Sequence, residues 1–204
     1  MAVPGKGPGW ATVYVARDLL VAPHTFRKPT ELTTAPPPAP GALAPALAGS
    51  RRRDTVVAFL RHLGCPFAEA TMRQLVRLSA AHPAIDFVAV THSSPARTRA
   101  WCDAVGGVGA VHAVADAGRT VYADWGVGLS DREHFAGRAS LAGVRRLLAE
   151  GIHNRIASGS RWQRAAAFAV DAGGIVRWRH LPANAADLPV LGDAVAVLTG
   201  RSVG

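Results

Sequence analysis

The 204-residue sequence has only two cysteines, Cys65 and Cys102, and it lacks any apolar run of the roughly 18 to 20 residues that cross a bilayer. Two cysteines exclude a disulfide framework or a four-cysteine zinc site, and the eight histidines form no H-E-x-x-H pair, so we expect no metal and no cofactor. Early prolines and glycines interrupt any signal-peptide segment. We therefore expect a cytoplasmic protein with reduced thiols and no membrane partner.

Acidic residues are also scarce, at 14 against 23 basic residues, which gives a formal net charge of +9. Such a balance attracts phosphates, anionic surfaces or acidic substrates. However, basic residues form no block beyond residues 51–53, and no nucleic-acid recognition motif accompanies them. We expect no nucleic-acid partner, and a steep salt dependence of binding would indicate otherwise.

Hydrophobic residues make up 49% of the chain, enough for one core of ordinary size. Residues 36–45, PPPAPGALAP, predict an extended connector because proline removes a backbone donor and disfavours helix in its predecessor. We expect a Pro/Ala-rich N-terminal arm, partly extended, over residues 1–53. One domain then covers residues 54–204, with order starting near Asp54.

Hydrophobic periodicity and turn residues predict alternating strands and helices within that domain. The predicted strands are 55–60, 85–90, 111–115, 166–170 and 175–180, and the predicted helices are 66–81, 95–104, 119–125, 140–150 and 188–198. Ser140 is the expected cap and Gly151 the expected stop of the fourth helix, after an irregular excursion over 126–137. Strand, helix, strand, helix implies parallel pairing, so the fold class is α/β.

Cys65 lies where the first predicted strand turns into the first predicted helix. Unpaired N–H groups and the helix dipole at such a turn favour a thiolate. Arg61 and His62 are expected to add positive charge beside it and to donate hydrogen bonds to an oxygen-bearing substrate. The open alternative is that Cys65 is one more small buried residue.

The segment FLRHLGCPF at residues 59–67 resembles the active-site turn of the peroxiredoxin-like branch of the AhpC/TSA antioxidant group, particularly its fungal members. Further matches follow in order at residues 101–107, 115–128, 161–163, 168–171 and 174–176. The resemblance implies a thioredoxin-like fold, a three-layer sandwich with a central mixed sheet flanked by helices. It also implies thiol-based redox chemistry.

The sequence departs from that pattern at three positions. The C-x-x-C of dithiol enzymes ends in Ala68, which rules out exchange within the turn. His62 stands where typical peroxiredoxins carry Thr or Ser. Ala165 stands where they carry Arg, and the adjacent Arg164 would point to the opposite face of a strand.

The resemblance implies a peroxide-reducing oxidoreductase in which Cys65 attacks the peroxide and Arg61 and His62 assist. The remaining expected site residues line a substrate pocket: Gly64, Pro66, Phe67, Trp162, Gln163 and Arg164. We expect Cys102 to be a buried structural cysteine, so an external thiol such as glutathione would regenerate Cys65. The sequence leaves open that two copies of the chain form a homodimer.

The alternative function keeps the fold without the redox cycle. In it, the protein is a catalytically divergent binding module or a recruited biosynthetic-pathway enzyme that uses the Cys65 turn as a pocket. The missing Thr, Arg and second Cys favour that alternative.

Overall fold

The structure is a computed structural model that describes residues 21–47 and 53–200. In chain order its strands are β1 (Thr55–Phe59), β2 (Asp86–Thr91), β3 (His112–Ala115), β4 (Ala166–Val170) and β5 (Val176–His180). The helices are α1 (Pro66–Ala81), α2 (Pro95–Ala104), α3 (Thr120–Asp124), α4 (Arg132–Ala136), α5 (Arg138–Ala149) and α6 (Leu191–Leu198). A 3₁₀ turn, Pro23–Phe26, precedes them.

The strands form one five-stranded sheet in the order β3-β2-β1-β4-β5. β1 pairs parallel with β2, and β2 parallel with β3, whereas β4 and β5 are antiparallel additions. β1 is buried along its whole length because it is central and covered on both faces, which explains its continuous apolar sequence. The predicted mixed sheet is confirmed.

Alternation along β1 divides the core between two layers. Val56 and Ala58 face a layer built mainly by α1, α2, α5 and α6, whereas Val57 and Phe59 face Tyr122 and the side chains around it. The Tyr122 hydroxyl donates to the carbonyls of Leu60, at 2.6 Å, and Val90, at 2.8 Å. This buried hydroxyl therefore holds together the carboxyl ends of β1 and β2, where the chain turns toward Cys65.

Two predicted helices, 66–81 and 95–104, and the strand 166–170 are confirmed to the residue. The excursion over 126–137 was expected to be irregular, but it contains α4, which the Asp131 side chain caps by accepting from the N–H of His134. Ser140 is not a cap, since α5 begins at Arg138 and the buried Ser140 hydroxyl donates to the His134 carbonyl at 2.6 Å. The last helix begins at Leu191 rather than at residue 188.

Residues 21–47 of the arm lie against the domain, so order does not begin near Asp54. The N–H of Gly41 donates to the Val176 carbonyl, and the N–H of Val176 donates to the Ala42 carbonyl. The N–H of Ala35 donates to Ala123. An extended, proline-rich chain keeps its carbonyls free for such bonds, which is why a segment without periodicity is held in place. Within the two described ranges, no helix is long and apolar enough to span a membrane.

Candidate functional site

Cys65 is the residue that precedes α1, and Pro66 occupies the first helical position, where its missing N–H costs nothing. The Cys65 N–H donates to the His62 carbonyl at 3.1 Å, which closes the turn. The N–H groups of Phe67 and Ala68 are therefore first-turn donors beside the cysteine, at the positive end of the helix dipole. The Cys65 side chain is only 3% exposed.

Gly64 fixes the backbone immediately before Cys65. Its φ is +87°, and a Cβ there would lie 2.5 Å from the Ile156 carbonyl oxygen. The Gly64 carbonyl accepts from the N–H of Arg155 at 2.9 Å, while Leu63 and Ser158 exchange two backbone bonds of 3.0 Å. Glycine is thus required both by the left-handed conformation and by the close approach of the neighbouring chain.

Arg61 extends its guanidinium over the cysteine. One terminal nitrogen, Nη1, donates to Cys65 Sγ at 3.5 Å, and the other, Nη2, donates to the Arg161 carbonyl at 2.7 Å. The Phe135 ring lies 5.9 Å from the guanidinium carbon. Arg61 is 4% exposed, and its Nε is buried without a hydrogen-bond partner among the described residues.

Arg61 contacts the Cys65 sulfur and no carboxylate among the described residues. Burial lowers the pKa of Arg61, Arg161 lowers it further, and the interaction with Cys65 raises it. In the described ranges, Arg61 forms no ion pair with Asp or Glu. A guanidinium stays protonated in proteins. Burying one without a counter-charge costs on the order of several kcal/mol.

His62 does not supply the expected positive charge. Its ring is buried, and its Nδ1 lies 3.0 Å from the Leu63 carbonyl oxygen. Burial lowers the pKa of His62 well below its ordinary value, and Arg161 and Arg61 lower it further. The imidazole is therefore neutral at physiological pH, and Arg61 is the cation at the turn.

The Trp162 ring packs edge to face on the Phe135 ring, with the ring centres 5.0 Å apart. Phe135 in turn lies beside Arg61. Gln163 instead donates from Nε2 to the carbonyls of Val127, at 2.6 Å, and Gly128, at 3.0 Å. Arg164 is exposed. Trp162 is therefore the member of this group that lies next to the contacts of Arg61. Among the described residues, Gln163 and Arg164 make no contact with Cys65.

A narrow cavity of about 20 Å³ borders Arg61. Its lining includes Phe67 from α1 and Ala165, the residue that precedes β4. This volume holds about one water-sized molecule. Ala165 is the position where the resemblance would place an arginine. In this chain a guanidinium reaches the sulfur from Arg61, two residues after the end of β1.

Several residues near the site carry no signal in the sequence. Phe135 and His134 lie in the excursion that was expected to be irregular, and the His134 Nε2 is buried without a partner among the described residues. Arg161 was noted only as part of a matching segment, although its carbonyl accepts from Arg61. All three approach through tertiary contacts between segments far apart in sequence.

Cys102 lies in α2 and is buried. Burial raises the pKa of the Cys102 thiol, and the neighbouring Asp103 raises it further. Both cysteines are free thiols. Across residues 21–47 and 53–200, no group of three or more His, Cys, Asp or Glu side chains is arranged to hold a metal ion.

Comparison with solved structures finds the same architecture in other proteins. A peroxiredoxin-like protein from Aquifex aeolicus is 16% identical, with a TM-score of 0.59, over 84% of this chain and 91% of that one. A thiol peroxidase from Chromobacterium violaceum is 14% identical, with a TM-score of 0.56, over 86% and 94% of the two chains. The chain has a thioredoxin-like fold.

Peroxiredoxin 6 of Arenicola marina, solved as a cysteine-to-serine mutant, is likewise similar, at 12% identity and a TM-score of 0.58, over 79% of this chain and 72% of that one. No family model matches the chain, and no curated protein sequence matches it. At these identities the likeness establishes the fold alone, so the chemistry must be argued from the geometry of the Cys65 turn.

Replacing Gly64 by alanine should damage the site more than the same change at Gly107. The two residues have nearly equal φ, +87° and +86°, but a Cβ at Gly107 meets nothing within 4 Å. Gly107→Ala should cost about 1 to 3 kcal/mol of unfolding free energy from conformation alone. Gly64→Ala should cost more and also slow alkylation of Cys65, because Ile156 forces the turn to move. Equal losses in both variants would contradict the close approach.

Acid should destabilise the protein through its buried neutral histidines. Burial lowers the pKa of His92 from 6.5 to about 4. Between these pH values the His92 side chain is protonated in the unfolded chain and neutral in the folded chain. Stability should therefore fall as the pH drops from about 6.5 to about 4, by about 3 kcal/mol for His92 alone. Chemical denaturation at several pH values measures this. His92→Gln should flatten the dependence, and His112→Gln, at an exposed site, should not.

Proposed function

We propose that the protein is a thiol-dependent peroxidase that reduces peroxides with a single reactive cysteine, Cys65. The observation that carries the proposal is the buried Arg61 guanidinium, whose Nη1 lies 3.5 Å from Cys65 Sγ. A cation held in this way stabilises the thiolate over the thiol, and the thiolate is the nucleophile in cysteine chemistry. The first-turn N–H groups of α1 act in the same direction.

In the proposed reaction the Cys65 thiolate attacks the terminal oxygen of a hydroperoxide. A sulfur–oxygen bond forms and the oxygen–oxygen bond breaks, so the sulfur is oxidised by two electrons and the peroxide is reduced. The leaving alkoxide or hydroxide takes a proton from water, and Cys65 becomes a sulfenic acid. The Arg61 guanidinium stabilises the negative charge on the departing oxygen.

Regeneration requires an external thiol. One thiol condenses with the sulfenic acid to a mixed disulfide and releases water, and a second thiol reduces that disulfide and restores Cys65. Glutathione has the required chemistry. Cys102 is a poor resolving residue because its raised pKa keeps it protonated.

The contact between Arg61 and Cys65 is the observation that favours a peroxidase over the alternative function. In the alternative, a binding module or biosynthetic-pathway enzyme uses the Cys65 turn as a pocket for an anionic or carbonyl group. The cavity of about 20 Å³ beside Arg61 does not have Cys65 in its lining, and a cavity of about 740 Å³ next to the turn is lined by Leu63 and Ile156. The proposal therefore rests on the Arg61 contact and not on cavity volume.

Further parts of the proposal rest on the sequence. Similarity of residues 59–67 to the fungal branch of the AhpC/TSA antioxidant group is our basis for that assignment. Two free thiols suit a reducing compartment, and we infer the cytoplasm. We propose a homodimer as the oligomeric state. We propose no nucleic-acid partner.

Treatment with one equivalent of hydrogen peroxide should produce a sulfenic acid at Cys65, detected by a sulfenic-acid trapping reagent and mass spectrometry. Cys102→Ser should keep this reaction, and Cys65→Ser should abolish it. Arg61→Met, which fills similar volume without charge, should slow it about ten- to hundredfold, the range expected when a hydrogen bond to a charged group is lost.

Two results would count against the proposal. Unmodified Cys65 in the trapping experiment would favour the binding module. A dominant peptide linked through Cys65 and Cys102, recovered without reductant, would replace the one-cysteine cycle by an internal disulfide. Turnover with glutathione and no linked peptide is the expected outcome.

A further inference from the structure

We propose that the N-terminal arm is a working part of the thiol site, because its 3₁₀ turn, Pro23–Phe26, positions Arg61 through Arg161. Thr25 is the residue of the arm that makes this connection. The inference rests on the proposed function in one respect, that the Arg61 guanidinium acts on the Cys65 sulfur. It assigns a positioning role to a segment outside the sheet and helices of the domain.

Among the described residues, Thr25 and Phe26 of the arm make three contacts with Arg161. The Arg161 N–H donates to the Thr25 carbonyl at 3.1 Å, and its side-chain Nε donates to the Thr25 hydroxyl at 3.2 Å. The Arg161 guanidinium also lies 4.3 Å from the centre of the Phe26 ring, a cation–π distance. Backbone and side chain of Arg161 are thus fixed together by two consecutive residues of the arm.

Arg161 is connected to the Cys65 sulfur through Arg61. Its carbonyl accepts from Nη2 of Arg61 at 2.7 Å, and Nη1 of the same guanidinium donates to Cys65 Sγ at 3.5 Å. Because a guanidinium is planar and rigid, the position of one nitrogen determines that of the other. Moving the Arg161 carbonyl therefore rotates the donor away from the sulfur.

A second route of contacts runs in parallel. The Trp162 indole N–H donates to the Phe26 carbonyl at 2.9 Å, and the Trp162 ring packs edge to face on Phe135. Phe135 in turn lies 5.9 Å from the Arg61 guanidinium. The 3₁₀ turn thus supports both the hydrogen-bonding and the aromatic contacts of Arg61.

Thr25 is suited to a test because the arm is attached elsewhere. Thr25 is fully buried, and its hydroxyl also donates to the Ala22 carbonyl at 2.8 Å. The backbone bonds of Gly41 and Ala42 to Val176 hold the arm on the sheet edge independently of this turn. Removing the Thr25 hydroxyl should therefore loosen Arg161 without releasing the arm from the domain.

The experiment compares three full-length variants with the wild type at a fixed pH near neutrality. Thr25→Val removes the hydroxyl at nearly constant shape, Thr25→Ser keeps it, and Thr33→Val makes the same change at an exposed position of the arm. The readouts are the ultraviolet absorbance of the cysteine thiolate and the rate of Cys65 alkylation. Cys102 adds little absorbance because its raised pKa keeps it a thiol.

Thr25→Val should lower the thiolate absorbance and slow alkylation by several-fold, up to about tenfold, since part of a charge-assisted hydrogen bond is lost. Thr25→Ser and Thr33→Val should match the wild type. Because a merely structural role would lower only the melting temperature, unchanged absorbance in Thr25→Val overturns the inference and leaves the proposed function standing. Absence of thiolate absorbance in the wild type itself overturns both.

Discussion

Burying a guanidinium without a counter-charge is costly, and the site depends on how the buried Arg61 is accommodated beside Cys65. Arg61 is 4% exposed, and its recorded partners are the Cys65 sulfur, the Arg161 carbonyl and the Phe135 ring. Carbonyl dipoles and an aromatic face lower the cost of burial, but they carry no full charge. In the function that we propose, a Cys65 thiolate supplies that charge, and the stability of the buried cation and the reactivity of the sulfur then have one physical origin.

Segments far apart in the sequence meet at the end of β1, next to Arg61 and Cys65. The Tyr122 hydroxyl ties the ends of β1 and β2, and the left-handed Gly64 lets the 155–158 segment lie directly on the turn. The same segment leads into Arg161, whose carbonyl receives Arg61. The cation and the sulfur are thereby aligned by backbone contacts rather than by a second ionised side chain.

The sequence predicted what local periodicity and turn chemistry determine. Helices 66–81 and 95–104 could be placed to the residue because each starts at a proline in the first helical position. The first also has a periodic apolar face, and the second ends before two glycines, Gly106 and Gly107. The Cys65 turn and the position of Arg61 beside Cys65 followed from the same local pattern. The neutral state of His62 did not, because it depends on burial and on Arg161, a residue about a hundred positions away.

Contacts between distant segments account for the other differences. α4 is only five residues long and is held by the Asp131 cap and by the bond from Ser140, so periodicity could not identify it. Gln163 matched a family segment, yet its amide serves the Val127 and Gly128 carbonyls. Residues 36–45 predict a connector because proline-rich chain has no periodic face, although the Gly41 N–H and the Ala42 carbonyl bind Val176 of β5.

The infrared S–H stretching region tests the charge balance most directly, because a thiol absorbs there and a thiolate does not. Cys102 provides an internal reference, since burial raises its pKa and keeps it protonated at neutral pH. The wild-type protein should show the S–H band of Cys102 alone, and Cys65→Ser should leave that band unchanged. A second band that disappears in Cys65→Ser would show that Cys65 is a neutral thiol beside Arg61 and would contradict the account.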